Sequence, residues 1–307
     1  MDSSKPAMRT SAFVIAFSLC GLLAQPAAAQ GKGGGNAFGH GKGNASAAAT
    51  AAASSSSSGS IDSGTAGPRP ELTGVRNFGS WLDDASVLSP GDGLLSLSSG
   101  YFRLPSVTEV DVPSFDVAFG LSKRVQAGLS VPVYHASVPG APVVRGLGDL
   151  YLNSKIQLRD PAAGFGVAVI PLLQVLSAEL VPGGGRVSWA LPVSLELQRP
   201  GFRAYGSTGY FSRGSLFASA ALEVPVADRV WVTGTLSQSH SVKDDAEADA
   251  LGLSKNRTDV SGGVTWAAAD GLAIFGSLGR TLSTTDPNRT RIFLMGGVSI
   301  GWHVSNP

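Results

Sequence analysis

From residue 94 to Trp302 the chain alternates apolar and polar positions in short runs, and the connections between runs are alternately tight and long. A period of two is the side-chain period of a strand whose two faces look onto different surroundings. The clearest run is Phe115-Asp116-Val117-Ala118-Phe119-Gly120-Leu121, apolar at odd positions and small or polar at even ones. Val125, Ala127, Leu129, Val131 and Val133 repeat the pattern, with Lys123-Arg124 as a tight turn between the two runs.

The pattern predicts about twelve strands, at 94–102, 114–122, 125–133, 148–158, 165–176, 187–198, 202–210, 215–225, 230–239, 258–267, 271–281 and 291–302. Each is close to the roughly nine to eleven residues of a tilted membrane strand. Short connections fall at 123–124, 159–164, 199–201, 226–229 and 268–270, and longer ones at 103–113, 134–147, 177–186, 240–257 and 282–290, with 211–214 as the exception. Short turns on one side and longer loops on the other are the plan of an outer-membrane barrel. An even strand count then puts both termini on the short-turn, periplasmic side. In lipid only helices and closed barrels leave no backbone group unpaired. The expected fold is all-β, a transmembrane up-and-down antiparallel β-barrel of about 12 strands preceded by a disordered linker.

The two faces of the strands separate chemically. Asp116, Gln126, Asp149, Tyr151, Asn153, Lys155, Gln157, Glu196 and Glu223 fall on the phase expected to face the lumen, and the opposite phase is almost free of charge. That separation matters because a cation on the lipid face costs about 2–4 kcal/mol at the bilayer midplane. Tyr134, Trp189, Tyr210, Trp231, Trp266 and Trp302 lie towards strand ends, where aromatic girdles are expected. Pro132, Pro171, Pro192 and Pro225 remove ladder hydrogen bonds, so bulges or strand ends are expected there. The run 165–176 is apolar on both faces, so its inward Ile170, Leu172 and Leu176 should meet a plug, a loop or a greasy solute.

Ahead of the strands, Lys5 and Arg9, an apolar run from Ser11 to Leu23 and Ala27-Ala28-Ala29 have the layout of a signal peptide over residues 1–29, with cleavage before Gln30. Cys20, the sole cysteine, lies inside it behind the bulky Leu19, where lipoprotein processing needs a small residue. Residues 30–68, rich in Gly, Ala and Ser, cannot bury enough apolar surface to offset their ordering entropy and are read as a linker. The lead-in 69–93, with Trp81, Asp83 and Asp84, is either a turn of helix or a plug-like segment at the mouth of the barrel, residues 94–307.

A net charge of +1, 15% charged residues and no basic block leave no electrostatic footprint for nucleic acid. The stretch Gly31-Lys32-Gly33 to Gly41-Lys42-Gly43, with His40, superficially matches a phosphate loop, but no strand precedes it and Gly43 stands where Ser or Thr should follow the lysine. Catalysis has little to build on. Ser239-His240-Ser241 lies near Asp244 and Asp245, yet adjacent strand residues point to opposite faces; His135 and His303 are the other histidines of the expected barrel. The acidic loop Asp244, Asp245, Glu247 and Asp249 lacks the glycine and terminal glutamate of a calcium loop. The sequons at Asn256 and Asn288 would matter only in a eukaryotic secretory pathway. No cofactor or metal is implied.

Ser114 to Tyr134, SFDVAFGLSKRVQAGLSVPVY, followed by Gly146-Leu147-Gly148-Asp149-Leu150 and Lys155, resembles the MetA-pathway phenol-degradation family of outer-membrane proteins. The resemblance covers about the middle fifth of the chain. It implies a transporter-like barrel, passing hydrophobic or aromatic compounds, with Gly148, Asp149 and Lys155 facing the lumen. The long leader and the end Val304-Ser305-Asn306-Pro307, in place of a terminal aromatic, depart from that pattern. The expected function is passive passage of small molecules through an outer-membrane channel. The expected partners are membrane lipid, the barrel-assembly machinery and an unidentified small solute. The alternatives are a structural or interaction barrel with a filled lumen, and an outer-membrane hydrolase.

Overall fold

The computed structural model describes residues 82–104, 108–137, 143–176, 186–244, 256–284 and 290–304. The signal peptide, the linker and Trp81 lie outside the described residues, as do Asp245, Glu247, Asp249 and Asn288.

The described chain is a closed antiparallel barrel of 12 strands. They are β1 (Asp92–Arg103), β2 (Thr108–Ser122), β3 (Val125–Ser137), β4 (Val144–Leu147 and Leu150–Arg159), β5 (Gly166–Val169 and Leu172–Val175) and β6 (Val187–Arg199). The second half has β7 (Phe202–Phe211), β8 (Ser215–Ala227), β9 (Val230–Ser241), β10 (Arg257–Ala269), β11 (Leu272–Thr284) and β12 (Ile292–His303). Each strand pairs with the next in sequence, and β1 pairs with β12 from Asp92↔His303 to Arg103↔Ile292, so no edge is left open.

All twelve strands form, and long and short connections alternate except at 212–214, the exception already expected, and at 104–107, where β2 begins at Thr108 and shortens the loop expected over 103–113. Two-residue turns such as Asp270-Gly271 join strands at the end where β1 begins and β12 finishes, and Gly271 supplies the positive φ (71°) that this turn needs. At the opposite end lie the longer loops.

The prolines account for the two broken strands. β5, expected as one run over 165–176, divides in two, and β4, expected at 148–158, is joined across a break by Val144–Leu147 from the stretch expected as a loop. Pro132 on β3 has no N–H to offer, and β4 breaks opposite it at Gly148-Asp149, where Gly148 N–H donates to the Pro132 carbonyl at 2.8 Å. Pro192 on β6 has the same effect on β5, which breaks at Ile170-Pro171 while Ile170 N–H donates to the Pro192 carbonyl at 2.9 Å. Pro225 sits at a bulge near the end of β8.

Candidate functional site in the barrel lumen

The alternation in burial follows the alternation in sequence. On β2, Ser114, Asp116 and Ala118 are buried inside while Phe115, Val117 and Phe119 face outward. On the inner face the structure places Asp116, Gln126, Asp149, Tyr151, Lys155, Gln157, Glu196 and Glu223, all buried. Asn153 lies on the same face over Gly128, where an added methyl would meet its Oδ1 at 2.6 Å.

Lys155, Gln157, Glu196 and Gln126 converge on a segment the sequence left open, residues 82–91, which enters the lumen at the short-turn end without forming a helix. Asp83, Asp84, Ala85 and Ser86 are fully buried there. Lys155 Nζ donates to Asp83 Oδ1 and to Asp84 Oδ1, each at 2.7 Å. Arg203 on β7 pairs with Asp84 and, through Nε at 2.8 Å, with Glu196 Oε1. The other oxygen, Glu196 Oε2, accepts from Ser86 Oγ at 2.7 Å and from Ala85 N–H at 3.1 Å.

Backbone groups of the segment are also satisfied by the wall. Asp83 N–H donates to Ser207 Oγ at 2.8 Å, Leu88 N–H donates to Gln126 Oε1 at 2.9 Å, and Gln157 Nε2 donates to the Ala85 carbonyl at 3.1 Å. Such accounting is what an irregular segment needs when it is taken out of water. Its apolar side chains find partners too: Leu82 packs on Tyr205 and Ala221, and Leu88 on Leu94 and Ala118. Gly120 leaves room for the segment, since a Cβ there would lie 2.6 Å from the Leu88 carbonyl oxygen.

Towards the loop end the inner face changes character. Tyr151, Ile170, Leu172, Ala190, Phe211 and Phe217 form one apolar cluster, with Leu176 also buried. Gln174 borders it, its Nε2 donating to Asp149 Oδ2 at 2.7 Å and to the Tyr151 hydroxyl at 3.0 Å. Its buried Oε1 has no hydrogen-bond partner among the described residues. A second polar knot closes the loop end of β10, where Arg257 Nε donates to both Asp259 carboxylate oxygens at 2.7 Å and Arg257 Nη2 donates to Thr290 Oγ1 at 2.8 Å.

The girdle residues divide. Trp189, Trp266 and Trp302 face outward, and Trp189 meets Tyr210 edge to face with ring centroids 5.8 Å apart. Trp231 is a correction: it is 6% exposed and lies on the inner phase of β9 with Thr233 and Thr235, because its neighbours Val230 and Val232 take the outward positions. The side chain of Tyr134 is outside the description. Ser239 is buried inside while His240 is exposed on the other face, so the two do not meet. Arg203, Gln174, Arg257 and Asp259 join the expected set on the inner face, and the inward phase of a polar residue on its strand is the sequence signal that marks each of them.

No protein-family model matches the chain, and no curated protein matches it in sequence. In structure it is similar to the COG4313 outer membrane channel from Pseudomonas putida F1, with a TM-score of 0.55 and 11% identity over 71% of this chain and 98% of that one. It is also similar to the NanC porin, with a TM-score of 0.51 and 10% identity over 67% of this chain and 98% of that one. At these identities the likeness establishes the barrel fold.

Proposed function

We propose that the protein is an outer-membrane channel for the passive passage of small molecules, restricted at its short-turn end by residues 82–91. The observation that carries this reading is the segment itself, held inside a closed barrel by Lys155, Arg203 and Glu196. A lumen that served only as a core would favour apolar packing, because buried ion pairs rarely stabilise more than the hydrophobic residues that could replace them. The channels among the similar folds support the same reading, in which the termini and the short turns lie on the periplasmic side. The apolar cluster at the loop end fits solutes of low polarity, in keeping with the resemblance to the phenol-degradation family.

The second reading, a structural barrel with a filled lumen, draws on the near-complete burial of the same network. Conductance separates them. Residues 30–307 and a version lacking residues 30–91 are reconstituted in planar bilayers. The channel reading expects conductance that rises when the segment is removed. A barrel that inserts and conducts in neither form is a structural one.

A further inference from the structure

Most of the outward face is apolar, with Leu216, Leu222, Leu236, Leu278 and Leu294 all exposed. On the loop-end half of this face, the charges within strands whose side chains are described are all arginine: Arg103, Arg145 and Arg280. Two of them stand near one another at the loop-end rim. The β11–β12 ladder runs to Gly279↔Phe293 with Arg280 next on β11, and on the other side of β12 Ile292 pairs with Arg103 of β1. Two strand spacings separate the guanidinium-bearing positions, roughly 10 Å. Leu278 and Leu282 flank Arg280 along its strand, 51% and 53% exposed. No described acid pairs with either arginine.

A cation among lipid-facing leucines is tolerated near the interface, where its long stem covers apolar surface and its head reaches the polar layer. There the guanidinium fork matches phosphate oxygens in a way that lysine does not. We propose that Arg103 and Arg280 form a docking site for the phosphorylated headgroup of an anionic lipid in the leaflet at the loop end. A soluble phosphate would satisfy the two cations but leave Leu278, Leu282, Ile292 and Leu294 in water. A lipid satisfies both, its acyl chains lying along the leucines. The proposal rests on the barrel spanning a membrane with its loop end in the leaflet that holds such a lipid.

The test is native mass spectrometry of residues 30–307 folded in nonionic detergent, titrated separately with phosphorylated lipid A, with its dephosphorylated form and with inorganic phosphate. A boiling-dependent gel shift is checked for each sample, and its loss in the wild type would count against the membrane barrel itself. The expected result is retention of the phosphorylated lipid roughly tenfold above the dephosphorylated form. The preference is lost in Arg103→Gln/Arg280→Gln and kept in Arg159→Gln, at the opposite end of the wall. Should the double variant not fold, Arg280→Lys alone is expected to weaken the preference. Equal retention of both lipids, an unchanged preference in the variants, or displacement of the lipid by inorganic phosphate would overturn the proposal.

Discussion

Lys155 Nζ reaches Asp83 Oδ1 at 2.7 Å across the lumen, and both side chains are fully buried. The same ammonium serves Asp84, so one wall residue neutralises two carboxylates of the entering segment. Removing one partner of a buried pair costs about 3–5 kcal/mol, because the charge left behind is neither solvated nor paired. Lys155→Gln is therefore expected to release residues 82–91 while the barrel stays closed. Residues 30–307 hold no cysteine, so Ala85→Cys gives a clean reporter. Maleimide labelling should be slow in the otherwise native chain and fast with Lys155→Gln. Equal labelling rates would show that Lys155 does not hold the segment.

Gly120 tests the same contact by shape instead of charge. Its added Cβ would meet the Leu88 carbonyl oxygen at 2.6 Å, and backbone cannot step aside as a flexible side chain does. Gly120→Val should expose the segment to labelling and leave the gel shift of the barrel in place. Gly276→Ala is the control, since its Cβ would find its nearest neighbour, the Met295 carbonyl oxygen, at 3.6 Å. A Gly120→Val chain that labels as slowly as the native one would mean that the segment takes another path.

The barrel was legible in the sequence because membrane strands obey a period-two rule that does not depend on distant partners. Strand positions and the side of each loop follow from it, and so does the inward phase of Asp116, Lys155 and Glu196. The breaks in β4 and β5 were legible only as trouble around prolines, since which strand yields depends on register with the neighbour. Trp231 was misplaced for a related reason: nearness to a strand end suggested a girdle, whereas the phase of Val230 and Val232 decides the face. For the segment at 82–91 the sequence offered a turn of helix or a plug and held nothing to choose between them. Its Asp83 and Asp84 find Lys155 and Arg203 across separations of 71 to 119 residues, and no local pattern records such pairings.

Fluorescence can check the faces of the tryptophans. Brominated lipid quenches rings that face acyl chains, and Trp189, Trp266 and Trp302 are each at least 40% exposed against 6% for Trp231. In single-tryptophan chains reconstituted in such lipid, the first three should lose most of their emission and Trp231 should keep it. Strong quenching of Trp231 would return it to the outer wall.

At the loop end of β10, Arg257 and Asp259 satisfy one another, with Thr281 Oγ1 donating to Asp259 at 2.7 Å and Thr290 accepting from Arg257. The pair ties β10 to β11 and to the residue leading into β12. Arg257→Met leaves a buried carboxylate and should lower the temperature at which the gel shift is lost by several degrees, for a loss of about 3 kcal/mol. Adding Asp259→Asn should recover much of it, since the orphaned charge is then gone. Additive losses in the double variant would mean that the two residues act separately.

The apolar cluster at the loop end bears on what the lumen accepts. Ile170, Leu172, Phe211 and Phe217 are buried side chains on strands whose neighbouring inward positions carry hydroxyls and amides. A small apolar solute gains from leaving water where these side chains part to admit it, at about 25 cal/mol per Å² of its own surface covered, and an ion gains nothing there. Phe217→Ser on β8 removes one of the two phenylalanines of the cluster without adding charge or touching the segment at 82–91. In liposomes loaded with a reporter, uptake of an apolar aromatic alcohol should fall several-fold relative to the native chain, and uptake of a small sugar should be unchanged or rise. Parallel changes for both solutes would mean that Phe217 sets only the width of the lumen, and the preference for low polarity would have to lie elsewhere.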